Sequence, residues 1–197
     1  MTYKLGLTGS IGMGKSTTAK IFAENGCAVW DADAAVHRLY SQGGAAVAPI
    51  GHAFPSAIVD DAVSRDRLKS LIADYPDALN KIESIVHPLV AEDRAIYLSE
   101  TEADITVLDI PLLFETGADA LMDATVCVTV PPETQKARVM ERGTMTEEQF
   151  QAILSKQLPD AEKRARADYV IVTDTLEHAR AQVQDVLKDI QGRRTNA

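Results

Sequence analysis

The sequence predicts an α/β domain on a five-stranded parallel sheet, with an inserted helical substrate lobe and a small helical lid. Three observations carry this expectation. Five short apolar runs, rich in β-branched residues and bounded by turn residues, read as buried strands. Helical stretches alternate with them, as parallel crossovers require. One interval, between the second and third runs, is too long for a single crossover.

The first strand is expected at Tyr3–Thr8, followed by a helix that begins near Lys15 and ends by Gly26. The second strand is Ala28–Asp31. From Asp33 to Thr101 the chain reads as almost wholly helical, with Leu79, Ile82, Val86, Leu89, Val90 and Ile96 keeping an approximate helical period. His87-Pro88 is expected to kink or break that helix, because proline lacks a donor and clashes with the preceding turn. Strands follow at Ile105–Asp109, Thr125–Val130 and Tyr169–Thr173. The charged stretch Arg142–Arg166 reads as a mobile lid, Leu176–Ile190 as the last helix, and Gly192–Ala197 as a disordered tail. The expected division is a core of 1–33, 102–141 and 167–197, a lobe of about 34–101 and a lid of about 142–166.

With 197 residues, 46% of them hydrophobic, the chain fits one domain carrying an inserted lobe. A net charge of −9 argues against a broad grip on nucleic acid, which needs a basic surface. No apolar run approaches the ~20 residues that span a bilayer. Met1 leads straight into a strand pattern, without a basic start or a cleavage site. A cytoplasmic protein is expected, with no membrane partner, working as a monomer or weak homo-oligomer. Cys27 and Cys127 lie in apolar stretches and read as buried thiols.

Gly9-Ser10-Ile11-Gly12-Met13-Gly14-Lys15-Ser16 satisfies G-x-x-x-x-G-K-[ST] between a strand and a helix. Such a loop turns backbone N–H groups toward phosphate oxygens, and the helix start adds its positive dipole end. Lys15 is placed to reach β- and γ-phosphates, and the Ser16 hydroxyl to ligate Mg²⁺. The expected fold is therefore that of a P-loop NTPase binding ATP. Strand two ends in Asp31-Ala32-Asp33, beyond the carboxyl edge where ligands sit in such sheets. A carboxylate there can accept a proton from an attacking hydroxyl; the alternative is that Asp33 only caps the next helix. Asp109, ending strand three, suits Mg²⁺ or its waters, or else a strand-end cap. Glu115 could serve the site or pair with an arginine.

Arg138 and Arg142, four apart on a predicted helix, share a face. With Lys156, Lys163, Arg164 and Arg166 they could stabilise charge on a transferring phosphoryl group, or form a solvated helix face. Arg142 is the preferred candidate. Arg65 could meet an acceptor's phosphate or merely start a helix. His87 could contact ligand or satisfy the lobe's own backbone.

Together these residues resemble the dephospho-CoA kinase family over essentially the whole chain. Gly6 to Ser16 is similar to its phosphate loop, Asp31-x-Asp33 to its strand-two motif, and Ser64-Arg65 with Leu68, then His87-Pro88, to its helical lobe. Asp109-Ile110-Pro111-Leu112-Leu113-Phe114-Glu115 is close to a family signature, and Gln135, Arg138, Arg142, Gln157 and Ala167-Asp168 resemble its lid and exit. The resemblance implies transfer of the ATP γ-phosphate to the ribose 3′-hydroxyl of dephospho-CoA, with Asp33 as catalytic base beside Lys15 and Arg142. It implies nucleotide contacts from Gly12, Met13, Gly14, Lys15, Ser16 and Thr17, and acceptor contacts from Asp33, Arg65, His87, Leu113 and Arg138. Mg²⁺ is expected on Ser16 and Asp109. The chain departs from the family at Ser10, where many relatives have Gly, and at Thr173-Asp174, which replaces a more usual Asp-Asn. Asp60-Asp61 also lacks the Gly often found before the lobe's Arg. Rival readings are a kinase for a nucleoside monophosphate or a sugar, and a nucleotide switch, though no guanine-selecting motif is visible.

Overall fold

The computed structural model describes residues 1–195. They form two compact units: Met1–Val29 together with the chain from Thr101 on, and Trp30–Glu100.

In the first unit β1 (Tyr3–Thr8) leads through the glycine-rich loop into α1 (Lys15–Glu24), and β2 (Ala28–Asp31) follows, its last two residues belonging to the second unit. β5 (Ile105–Asp109), β6 (Ala124–Thr129) and β7 (Tyr169–Val172) complete the sheet, in the order β2-β5-β1-β6-β7. β1 pairs parallel with β5 and β6, and β6 with β7. Every residue of β5 and β6 is buried, which is why these runs are apolar throughout rather than alternating. Leu5, Leu7, Val107, Val126, Val128 and Ile171 are wholly enclosed by this core. α1 adds Ile21 and Phe22, and the last helix, α9 (Leu176–Thr195), adds Ala179, Val183, Val186, Leu187 and Ile190. β1 has β5 on one side and β6 on the other, so successive connections diverge around it. A crevice forms at the carboxyl edge of a sheet at such a point, and the glycine-rich loop leaves β1 there.

The second unit holds α2 (Ala32–Tyr40), α3 (Val47–Ala53), the hairpin strands β3 (Ile58–Val59) and β4 (Ala62–Val63), α4 (Arg65–Asp74) and α5 (Ala78–Glu100). Its core gathers Leu39, Ile50, Val63, Leu68, Ile82 and Val86. Trp30, 2% exposed, donates from Nε1 to Asp93 at 2.8 Å, and Arg38 donates to the same carboxylate at 2.6 Å. This network ties α2 to α5.

Several expectations are corrected. The fourth strand starts one residue earlier than its apolar run, at Ala124, and the fifth ends at Val172. The almost wholly helical second unit also holds a short hairpin that was not expected, turned by Asp60 (φ 50°) and Asp61 (φ 58°). Asp tolerates the left-handed region better than most residues, so two successive ones make a primed turn without glycine. Pro88 does not break α5. Leu89 and Val90 pack with Ile82 and Val86 on one cluster, and that burial outweighs the lost hydrogen bond. The stretch read as a lid holds two helices, α7 (Glu147–Leu154) and α8 (Asp160–Arg166). α9 runs through Thr195, so the tail is helical as far as it is described; residues 196 and 197 lie outside the described residues. Cys127 is buried but Cys27 only partly so; burial pushes their thiols up to about 12 and about 11. No helix among the described residues is long and apolar enough to cross a membrane.

Candidate active site

The loop Gly9–Ser16 is shaped by what surrounds it. Gly14 is the N-cap of α1 with φ 89°, and no side chain caps that helix start. A Cβ on Gly14 would lie 2.8 Å from Thr173 Oγ1, so both conformation and space demand glycine. α1 carries no acidic residue in its first turn and begins with Lys15. Its uncapped amides and positive dipole end are thus left for an anion. Gln135, 5% exposed on α6 (Pro132–Glu141), donates to Ile11 O at 2.7 Å. Thr173 Oγ1 donates to Met13 O at 2.6 Å. Buried Met13 lies with its sulfur 3.1 Å from the Val130 N–H.

β5 delivers Asp109 beside the loop, where its carboxylate accepts a hydrogen bond from Lys15 Nζ. The Asp109 side chain is 2% exposed. Ser16 and Thr17 are exposed in the first turn of α1. A hydroxyl and a carboxylate are oxygen donors that suit a hard divalent cation. Among the described residues no three or more His, Cys, Asp or Glu side chains cluster as metal ligands.

The turn after β5 is fastened from two sides. Thr8 Oγ1 donates to Pro111 O at 3.0 Å, and Lys163 of α8 donates to the same carbonyl at 3.3 Å. Lys163 pairs with Glu115 at 2.8 Å, and the Leu158 N–H donates to Glu115 at 2.9 Å. Burial raises the Glu115 carboxyl, but the hydrogen bonds from Lys163 and Leu158 outweigh it and hold it below the usual range. Glu115 therefore pairs with a lysine, not an arginine. Leu113, expected against the acceptor, is instead fully buried, and a Cβ on Gly6 would lie 2.9 Å from it; its neighbour Leu112 is 40% exposed.

A pocket of about 290 Å³ adjoins the loop, lined by Gly14, Thr17, Arg138, Arg142, Thr173 and Leu176 among others. Arg138 and Arg142 share this pocket, as their spacing predicts. The Arg138 guanidinium also donates to Thr173 Oγ1 at 3.2 Å and Thr173 O at 2.6 Å. Three other cations read as lid residues are engaged elsewhere: Lys163 with Glu115, Arg164 with Asp160 at 2.8 Å, and Arg166 with Asp119 at 3.0 Å. Arg142 is exposed at the C-cap of α6. Sequence reasoning missed Thr173 as a loop contact. Its placement just past the carboxyl end of β7, the strand beyond β6, was the available signal.

In the second unit the Asp31 side chain caps α2, accepting from the Ala34 N–H at 2.9 Å. Asp33, in the first turn and exposed, is not the cap. Arg65 opens α4 beyond its cap Ser64 and lies over the Tyr40 ring at 5.7 Å. His87 is exposed on α5.

A loop of this kind at a sheet's diverging edge, with its lysine against a strand-end carboxylate, defines a P-loop NTPase fold, the one that P-loop kinases share. The family model for dephospho-CoA kinase matches residues 3–178. A dephospho-CoA kinase from Ruegeria pomeroyi is 69% identical over 191 residues, covering 97% of each chain. A solved structure from Thermus thermophilus superposes with a TM-score of 0.85 at 32% identity, covering 98% of this chain and 97% of that one. The dephospho-CoA kinase from Campylobacter jejuni shares the fold, with a TM-score of 0.71 at 24% identity over 98% of this chain and 100% of its own. The chain belongs to the dephospho-CoA kinase family. Its activity is ATP-dependent phosphoryl transfer in coenzyme A biosynthesis.

Proposed function

We propose that Asp33 takes the proton of the ribose 3′-hydroxyl of dephospho-CoA as that oxygen attacks the γ-phosphorus of ATP. The new bond forms from the 3′-oxygen to phosphorus, the bond to the β–γ bridging oxygen breaks, and ADP leaves with CoA as product. The observation that carries this reading is the division between two aspartates. Asp31 already accepts the capping hydrogen bond, so the fold assigns Asp33 no capping task.

Around this step, the amides of Gly12 to Thr17 cradle the phosphates, and Met13 plugs the loop from behind. Lys15 turns from Asp109 to the β- and γ-phosphates. Ser16 and Asp109 would hold Mg²⁺, which when bound neutralises charge on the phosphate oxygens. Arg142 faces the transferring group from the pocket side, and Arg138 keeps the nucleotide side of that pocket in shape. Arg65, a cation at a helix start where the dipole opposes it, suits an anionic group of the acceptor; His87 lies on the same unit's surface. The lid reading narrows to the region of α7, since α8 is pinned by Lys163. On our reading the enzyme is cytoplasmic, without nucleic-acid or membrane partners, and a monomer or weak homo-oligomer.

Asp33→Asn is the test. ADP release with dephospho-CoA should fall by roughly 10²–10⁴-fold, while calorimetry still detects ATP binding. Full turnover in that variant would remove Asp33 as the base, and a preference for another acceptor in an ADP-release panel would overturn the acceptor assignment.

A further inference from the structure

We propose that Gln135 and Thr173 are positioning residues that set the phosphate loop before nucleotide arrives, by drawing two loop carbonyls outward. A trans peptide unit is planar, with its carbonyl and the next N–H pointing in opposite directions. Gln135 Nε2 holds the carbonyl of Ile11 at 2.7 Å, so the Gly12 N–H of that unit points away from α6. Thr173 Oγ1 holds the carbonyl of Met13 at 2.6 Å, so the Gly14 N–H points away from β7. Both amides are thereby turned to the phosphate side.

The loop does not fix these peptides by itself. Gly12 (φ 78°) and Gly14 (φ 89°) sit where glycine alone is unstrained, and glycine surrenders the most backbone freedom on ordering. The two pins come from separate elements and approach closely. A Cβ on Gly12 would lie 3.1 Å from Gln135 O, and one on Gly14 2.8 Å from Thr173 Oγ1. The Thr173 hydroxyl has a single proton. Arg138 donates to that oxygen at 3.2 Å, which leaves the hydroxyl proton for Met13 O. Arg138 therefore orients the pin as well as lining the pocket. A preset loop binds phosphate without the cost of ordering it then.

The test uses the full chain and three variants: Thr173→Val, Gln135→Met and, as conservative rescue, Thr173→Ser. Inorganic tripolyphosphate, competing with ATP, probes the loop without a base. Thr173→Val and Gln135→Met should each weaken its inhibition about tenfold, as loss of one well-placed hydrogen bond allows, and raise the KM for ATP in parallel. The KM for dephospho-CoA should stay put, and Thr173→Ser should restore parental values. The proposal is overturned if tripolyphosphate inhibits Thr173→Val and Gln135→Met as it inhibits the parent. If Thr173→Val misfolds, as its far-ultraviolet circular dichroism would reveal, Gln135→Met on another element decides alone. A parent enzyme indifferent to tripolyphosphate would instead sink the reading of the loop itself.

Discussion

A lysine with no exposed side-chain surface needs an opposite charge, and Lys163 has Glu115 at 2.8 Å with Pro111 O beside it. Removing one member of such a pair strands the other. Glu115→Gln is expected to cost about 3–5 kcal/mol at neutral pH, read as a lower thermal midpoint. Adding Lys163→Met should recover much of the loss, since replacing both charges by apolar groups is often close to neutral. The pH dependence has a definite sign. The Glu115 carboxyl is depressed in the folded protein, so its stabilisation is complete above its unfolded value, about 4.3. It fades as pH falls through the lower folded value. The gap in melting temperature between parent and Glu115→Gln should therefore narrow below about pH 4, and a constant gap would contradict this.

At the scale of elements, Asp31 and Asp33 are separable. Asp31→Ala should destabilise by about 0.5–2 kcal/mol through loss of the α2 cap, measured by urea unfolding, while turnover of the folded enzyme changes little. Asp33→Asn should do the reverse. The sheet was legible because buried parallel strands leave uninterrupted apolar runs, and Ile105–Asp109 has no other environment to fit. The loop was legible because phosphate chemistry needs those residue types at that spacing. The hairpin at Asp60-Asp61 was not, since the usual glycine signal is missing. Pro88 misled because local propensity ignores the tertiary packing of Leu89 and Val90. The burial of Leu113 and Lys163 was not legible either, because a sequence gives a side chain's chemistry without saying which way it faces. Thr173 could be placed at the end of a strand, but its hydrogen bond to Met13 O depends on a sheet register no local pattern encodes.

For the molecule as a whole, ligand linkage supplies the simplest check. A ligand bound only by the folded state stabilises it by about 2.7 kcal/mol at a hundred times its dissociation constant. ATP should accordingly raise the thermal midpoint of the parent in a concentration-dependent way, and Lys15→Ala should respond far less. The net charge of −9 makes polyanions such as duplex DNA poor competitors in the same melt.

The chain contains one tryptophan, and it lies at position 30, enclosed in the second unit with its ring nitrogen on Asp93. Intrinsic fluorescence excited at the red edge of the aromatic band therefore arises from a single indole. Its emission speaks for the unit that carries Asp33, Arg65 and His87, while the unit with the phosphate loop contributes no indole signal. The single indole is thus a built-in reporter on one half of the enzyme, and a change in its emission on adding dephospho-CoA would test the proposed acceptor site without any added dye.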